Sequence, residues 1–158
     1  MGAGSMIGTV ITYGTFDMFH IGHLRLLERM SQLGDRVVVG VSTDEFNAQK
    51  GKRALIPYAD RKAIIEALKF VDLVIPETSW EQKPLDIDRF GVDAFVIGDD
   101  WQGHFDDLKA YCEVVYLERT AGVSSSELKM ALKRLLDNDA TVSLNDKVML
   151  DALQRNLL

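Results

Sequence analysis

Two histidines three residues apart, His20 and His23, end the run Gly14-Thr15-Phe16-Asp17-Met18-Phe19-His20-Ile21-Gly22-His23. The run leaves an apolar, β-like segment and enters a helix-period segment at about the second histidine. Such a turn offers free backbone N–H groups and the positive end of a helix dipole, which together make an anion site. Gly22 lets a phosphate approach the backbone closely. Two imidazoles at this spacing can donate hydrogen bonds to phosphoryl oxygens that gain charge in a transition state. Two other readings stay open at this point: surface histidines, or a pair of zinc ligands. Zinc needs a third protein ligand, and the remaining histidine, His104, has no cluster around it, so no protein metal site is expected. The run lacks a Gly-Lys-Ser/Thr ending, which argues against a P-loop.

A second cradle lies about 100 residues on, in Arg119-Thr120-Ala121-Gly122-Val123-Ser124-Ser125-Ser126. A permanently charged guanidinium stands there beside hydroxyls and the N–H groups of a starting helix. The serines could also be plain N-caps, and Ser124 to Ser126 can cap and bind at once. A third group, Lys50, Lys52 and Arg53, follows the second strand-like segment, and on most surfaces such a cluster is a solvated face. The formal charge of −6 gives it more weight. An acidic molecule repels anionic substrates, so phosphates would need a local basic pocket, for which Lys50, Lys52, Arg53, Arg61, Lys83 and Arg119 are the candidates. The same charge argues against a nucleic-acid-coating protein.

The elements that must position these groups are legible. Apolar, β-branched runs at Thr9–Tyr13, Arg36–Val41, Val71–Ile75, Val92–Ile97 and Glu113–Leu117 read as strands buried on both faces. Between and after them, His23–Leu33, Tyr58–Phe70, Leu85–Phe90 and Ser125–Leu136 carry helical periodicity. The alternation predicts an α/β fold: a doubly wound, five-stranded parallel sheet of Rossmann type, with ligands beyond the carboxyl ends of the strands. Gly34 and Gly91 are placed to end their helices in the left-handed conformation. Residues 1–5 read as an expression remnant, 6–136 as one domain, and 137–158 as an amphipathic helical tail. A single cysteine, Cys112, and the lack of a leader-like N-terminus or a spanning apolar run imply a cytoplasmic protein without a membrane partner.

The string GTFDMFHIGH resembles the GTFDxxHxGH signature of the cytidylyltransferases, within the HxGH nucleotidyltransferase superfamily, and RTAGVSSS resembles their RTxGxSS/T motif. DEFNxxK, the Tyr58 to Arg61-Lys62 segment, VIPE followed by Trp80-Glu81-Gln82-Lys83, and Gly98-Asp99-Asp100-Trp101 are similar to the glycerol-3-phosphate cytidylyltransferase family. The likeness runs from about Val10 to Leu132. It implies that Thr15, Phe16, His20, Gly22, His23, Lys52 and the stretch Arg119, Thr120, Gly122, Val123, Ser124, Ser125 and Ser126 contact CTP. Lys50 and Lys83 would hold sn-glycerol 3-phosphate, with Arg61 and Trp80 beside them. His20, His23, Lys50 and Arg119 would carry the catalysis.

Asp99 or Asp100 could read cytosine, with Asp100 the favoured choice, or the two could simply cap the following turn. Trp101, like Trp80, could wall the acceptor pocket or serve as packing. Lys69 stands where the family pattern leads one to expect arginine, which puts any role there in doubt. Mg²⁺ would arrive with the nucleotide, and the resemblance suggests a homodimer whose CDP-glycerol feeds teichoic acids or related polymers. The alternatives are phosphocholine or phosphoethanolamine cytidylyl transfer, FMN adenylyl transfer, and a nucleotide-sensing domain without turnover.

Overall fold

The computed structural model describes residues 7–136 and Val148, so the expected N-terminal remnant and nearly all of the expected tail lie outside the described residues. Five strands, β1 (Ile7–Gly14), β2 (Gly34–Ser42), β3 (Leu73–Glu77), β4 (Val92–Gly98) and β5 (Glu113–Leu117), form one sheet in the order β3-β2-β1-β4-β5. Every neighbouring pair is parallel. This is the doubly wound arrangement expected from the alternation, and its strand order reverses direction between β1 and β4. Two compact units divide at Ala121 and Gly122, ahead of α5 (Ser125–Leu136).

Each inner strand feeds both faces because successive side chains point to opposite sides. On one face Val10, Val37, Val39, Val41, Ala94 and Val96 pack against Leu27 and Met30 of α1 (Ile21–Leu33) and Ile65 of α3 (Tyr58–Glu66). On the other, Ile11, Tyr13, Val38, Phe95 and Ile97 pack against Ile87 of α4 (Gln82–Phe90) and Leu108. Pro76 lies in β3, at the sheet's edge, where a strand can tolerate a missing N–H.

The structure departs from the sequence reading in several places, among them an α4 that begins at Gln82 instead of Leu85. The segment after β2, expected as loop, contains a short helix, α2 (Asp44–Gln49). Thr43 caps it, its hydroxyl oxygen accepting from the Phe46 N–H at 3.1 Å, and six residues are too few to show a helical period. Helix α3 ends at Glu66 instead of Phe70, because Leu68 N–H and Val71 N–H turn back onto Ile65 and Leu68 carbonyls. Strand β3 starts at Leu73, since Asp72 spends its backbone N–H and its carboxylate on the Val37 peptide at 2.9 and 2.8 Å. Gly91 is left-handed as expected (φ 60°), but Gly34 is extended (φ −136°) and already belongs to β2. Glycine is required at Gly34 for space: a Cβ there would meet the Val10 side chain at 2.7 Å.

Candidate active site

The loop from Thr15 to His20 leaves β1 through two residues in the left-handed region, Phe16 (φ 53°) and Met18 (φ 48°). Neither is glycine, so the loop is strained by roughly 1–3 kcal/mol per residue and must be held from outside. Buried Asp17 accepts from Leu55 N–H at 2.8 Å and Ile56 N–H at 3.0 Å. Arg61 donates through Nη1 to the carbonyls of Thr15 (2.8 Å) and Ser42 (2.7 Å), through Nε to Ile56 O (2.8 Å), and through Nη2 to Asp44 (2.7 Å). Phe16 anchors the loop in the core.

Arg61, expected among the acceptor-binding cations, is therefore a staple between the ends of β1 and β2. It is 1% exposed, and its guanidinium is committed to protein acceptors. A sequence cannot separate a buried arginine serving carbonyls from one serving a phosphate, because both sit in polar loops.

His20 caps α1, its Nδ1 accepting from Gly22 N–H at 3.0 Å, while His23 Nδ1 accepts from His20 N–H at 3.2 Å. This reciprocal capping box occupies the Nδ1 atom of both rings. The neutral tautomer that satisfies it carries its proton on Nε2, so both imidazoles present an N–H donor. The rings stack with centroids 3.8 Å apart, and Phe16 and Phe19 flank His23 at 5.4 and 5.5 Å. Burial, then the neighbouring His20, pushes the His23 pKa down to about 3 against a smaller opposing pull from Asp17. His20 is lowered by burial and by Arg119. At neutral pH the pair is thus a set of uncharged donors, and His20 Nε2 has no partner among the described residues. Gly22, expected to bring its backbone to a phosphate, spends its N–H on His20.

The β1 loop is joined to α2 by a hydrogen bond from the Thr15 hydroxyl to Asn47 Oδ1 at 3.1 Å. Just beyond α2, Lys50 faces a second polar group at the end of β3. Glu77, 3% exposed, receives Ser42 Oγ–H at 2.5 Å and Lys83 Nζ at 2.7 Å, with Lys50 Nζ at 4.0 Å. Aromatic faces surround the two ammonium groups: Phe46 (4.2 Å) and Trp80 (5.4 Å) at Lys50, and Tyr13 (4.6 Å), Trp80 (4.7 Å) and Phe105 (5.7 Å) at Lys83. Burial lowers the Lys50 pKa, and Glu77 opposes that shift. Without the carboxylate, two cations in this apolar setting would repel one another and favour losing a proton.

On the other side of β1, the Arg119 chain lies across Gly98 at the end of β4: a Cβ on Gly98 would come within 3.4 Å of Arg119 Cγ and 2.6 Å of Asp100 Oδ1. Arg29 holds the preceding residue through the Glu118 carbonyl at 2.8 Å. Lys52 lies 5.9 Å from the Trp101 ring. Asp99 and Asp100 are exposed in a short 3-10 turn whose N-cap is Gly98. The expected sites thus converge on one end of the sheet, except for Gly122, Val123, Ser124, Ser125 and Ser126, which belong to the second unit. There Gly122 is left-handed (φ 76°), and Ser124 caps α5 by accepting from Glu127 N–H at 3.1 Å.

Comparison with known proteins identifies the family. The cytidylyltransferase-like family model matches residues 11–141. The glycerol-3-phosphate cytidylyltransferase of Bacillus subtilis is 59% identical over 120 residues, covering 76% of this chain and 93% of that one. That of Bacillus spizizenii is 56% identical over 126 residues, covering 80% and 98%. The chain belongs to the glycerol-3-phosphate cytidylyltransferase family. Among solved structures, the lipopolysaccharide core biosynthesis protein of Thermoplasma volcanium superposes with a TM-score of 0.60 at 25% identity, covering 72% of this chain and 98% of that one.

For this member of the family, the sequence reading missed Glu77, Asp86, Tyr13 and Phe46 as parts of the pocket. Tyr13 donates to Asp86 at 2.7 Å, and Asp86 also receives Gln82 Nε2–H at 2.8 Å, which fixes the ring beside Lys83. Burial, followed by Asp86, raises the Tyr13 pKa, so the phenol stays protonated. Tyr13 and Phe46 look like ordinary core aromatics in a sequence. Glu77 carried one signal: an acidic residue closing an apolar run, at the strand terminus where sites in this fold class lie.

Proposed function

We propose that the protein transfers the cytidylyl group of CTP to sn-glycerol 3-phosphate, giving CDP-glycerol and pyrophosphate. A phosphate oxygen of the acceptor forms a new bond to the α-phosphorus of CTP as the bond to the bridging oxygen of the leaving pyrophosphate breaks in line with it. The nucleophile is already an anion, so no base has to remove a proton, and the protein's work is positioning and charge stabilisation. The observation that carries this reading is the reciprocal His20–His23 capping box, which leaves two neutral Nε2–H donors at a helix N-terminus. In the proposal these donors serve the α-phosphoryl and bridging oxygens, Lys50 brings the two anions together, and Lys52 and Arg119 serve the β and γ phosphates. Lys83 and Trp80 complete the acceptor pocket, and Asp100 is the candidate reader of cytosine.

No group of three or more His, Cys, Asp or Glu among the described residues could hold a metal ion. Mg²⁺ enters this proposal as an ion brought by the nucleotide, where it would supply neutralisation of phosphate charge. The finer readings belong to the same proposal: a cytoplasmic homodimer, acting without nucleic acid or membrane. The −6 charge supports the absence of a nucleic-acid partner, and no described helix is long and apolar enough to cross a membrane. Ile21, 42% exposed at the start of α1, is consistent with a covered edge. Sedimentation of the full chain tests the dimer.

The activity is tested by pyrophosphate release with CTP, ATP, GTP and UTP against glycerol 3-phosphate, phosphocholine, phosphoethanolamine and FMN. Turnover confined to CTP with glycerol 3-phosphate is the expected result. A different productive pair would replace the acceptor or the base in this proposal.

A further inference from the structure

The Lys83 ammonium occupies a site with the makings of a ligand pocket. Three aromatic rings, Tyr13, Trp80 and Phe105, lie 4.6, 4.7 and 5.7 Å from Nζ, and Glu77 Oε2 lies 2.7 Å from it. Rings around a carboxylate are the chemistry that recognises alkylammonium and quaternary ammonium groups. Here the cation comes from the chain itself. Lys83 is 3% exposed while Trp80 is 46% exposed, so the cage is filled from within α4, and one of its walls faces solvent. The Tyr13 wall is fixed from behind by Asp86, so the cage does not depend on Lys83 for all of its shape.

Lys50 has a different setting, over Phe46 and 4.0 Å from Glu77, and remains the cation nearer the edge of the pocket. An acceptor with a phosphate at one end and hydroxyls at the other meets two ammonium groups here and finds donors for both ends. An acceptor with its own ammonium meets a filled cage and like charge.

We infer that Lys83 determines acceptor specificity: its side chain is the resident cation of an aromatic cage suited to an ammonium group, and it bars acceptors that carry one. This rests on the cytidylyltransferase reading for the identity of the reaction, but the cage itself does not. Removing the lysine side chain empties a space that already has a carboxylate and three rings, so a free quaternary ammonium should enter it. Position 83 lies in the first turn of α4, where alanine and serine are both tolerated.

The test compares wild type with Lys83→Ala and Lys83→Met, melting each in tetramethylammonium chloride and in sodium chloride at equal ionic strength. Lys83→Ala should gain about 3–5 °C from tetramethylammonium at concentrations near ten times its dissociation constant. Wild type and Lys83→Met, whose cages stay filled by a long side chain, should gain nothing. Lys83→Ala should also lose at least tenfold in turnover of glycerol 3-phosphate and gain at least tenfold over wild type with phosphocholine. Should Lys83→Ala fail to fold, Lys83→Ser, whose side chain also leaves the cage empty, carries the same comparison.

A folded, CTP-binding variant that gains no stability from tetramethylammonium overturns the inference, as does an equal gain in Lys83→Met. A wild type silent with CTP and glycerol 3-phosphate, beside a Lys83→Ala that takes up tetramethylammonium, would refute the proposed reaction and leave the cage standing. The reverse pattern would refute the cage alone.

Discussion

The histidine pair after β1 and the lysine pocket between β2 and β3 both offer donors to phosphate, yet they are built on opposite electrostatic plans. His20 and His23 are uncharged, held by backbone N–H groups and by each other at a ring separation of 3.8 Å. Lys50 and Lys83 are instead held in place by an internal carboxylate and a set of aromatic faces. Neutral donors carry a small desolvation cost and can be aimed by the backbone before substrate arrives, which suits the oxygens whose charge grows only in the transition state. Buried cations need a counter-ion before substrate arrives, which suits a dianionic acceptor that is charged from the start. The histidine pair is thus held by orientation and the lysine pair by charge balance.

If orientation governs the histidines, the largest effect should come from removing a donor while keeping the cap. Asparagine is a good N-cap, so His20→Asn should fold with α1 intact and lose about 10²–10³-fold in kcat through the missing Nε2–H. Steady-state kinetics alongside circular dichroism would show this, and a variant retaining more than a tenth of wild-type kcat would sink the donor assignment.

Glu77→Gln probes the other plan. It removes the counter-ion of the buried Lys83 and the partly buried Lys50 and should destabilise the fold by about 3 kcal/mol, since an uncompensated buried charge is costly. It also removes the influence that holds the Lys50 pKa up, so the acceptor KM should climb at least tenfold between pH 7 and pH 9 while kcat changes less. A wild-type-like KM profile in this variant would show that Glu77 does not govern the lysines.

The two plans should also differ in how stability responds to acid. Folded His23 titrates near 3, below the ordinary 6.5, so between those values the unfolded chain binds a proton that the folded chain refuses. Stability should therefore fall as pH drops below 6.5, by roughly 1 kcal/mol per pH unit from this group, and His23→Gln should flatten that part of the slope. Urea midpoints at pH 7, 6 and 5 give the comparison, and identical slopes in the two proteins would contradict it. The smallest effect is expected at Trp80, the wall shared by both lysines. Trp80→Leu removes one cation–π face from each and should raise the acceptor KM about three- to fivefold with kcat nearly unchanged. Loss confined to kcat would place Trp80 elsewhere in the cycle.

The same division explains what could be read without a structure. Strand runs such as Arg36–Val41 and the His20–His23 spacing are local patterns, dictated by side-chain periodicity and by the needs of a helix N-terminus, so the fold class and the histidine cap at the start of α1 were legible. The lysine pocket is assembled from β1, α2, β3, α4 and the turn carrying Phe105, and its cohesion depends on Glu77, whose importance appears only when Ser42, Lys50 and Lys83 converge on it. Arg61 was misplaced for the same reason, since its partners, Thr15, Ser42, Asp44 and Ile56, lie at sequence separations of 46, 19, 17 and 5. Gly34 was misread because a helix C-terminus and a close approach between β1 and β2 both call for glycine.

Cytidylyl transfer itself can be followed by phosphorus NMR of CTP and sn-glycerol 3-phosphate with Mg²⁺ and the full chain. The CTP resonances should give way to a diphosphodiester and pyrophosphate in equal amounts, at a rate that falls about 10²–10³-fold in His20→Asn. Unchanged CTP in the presence of folded enzyme and acceptor would contradict it, as would release of CDP and inorganic phosphate with no diphosphodiester formed.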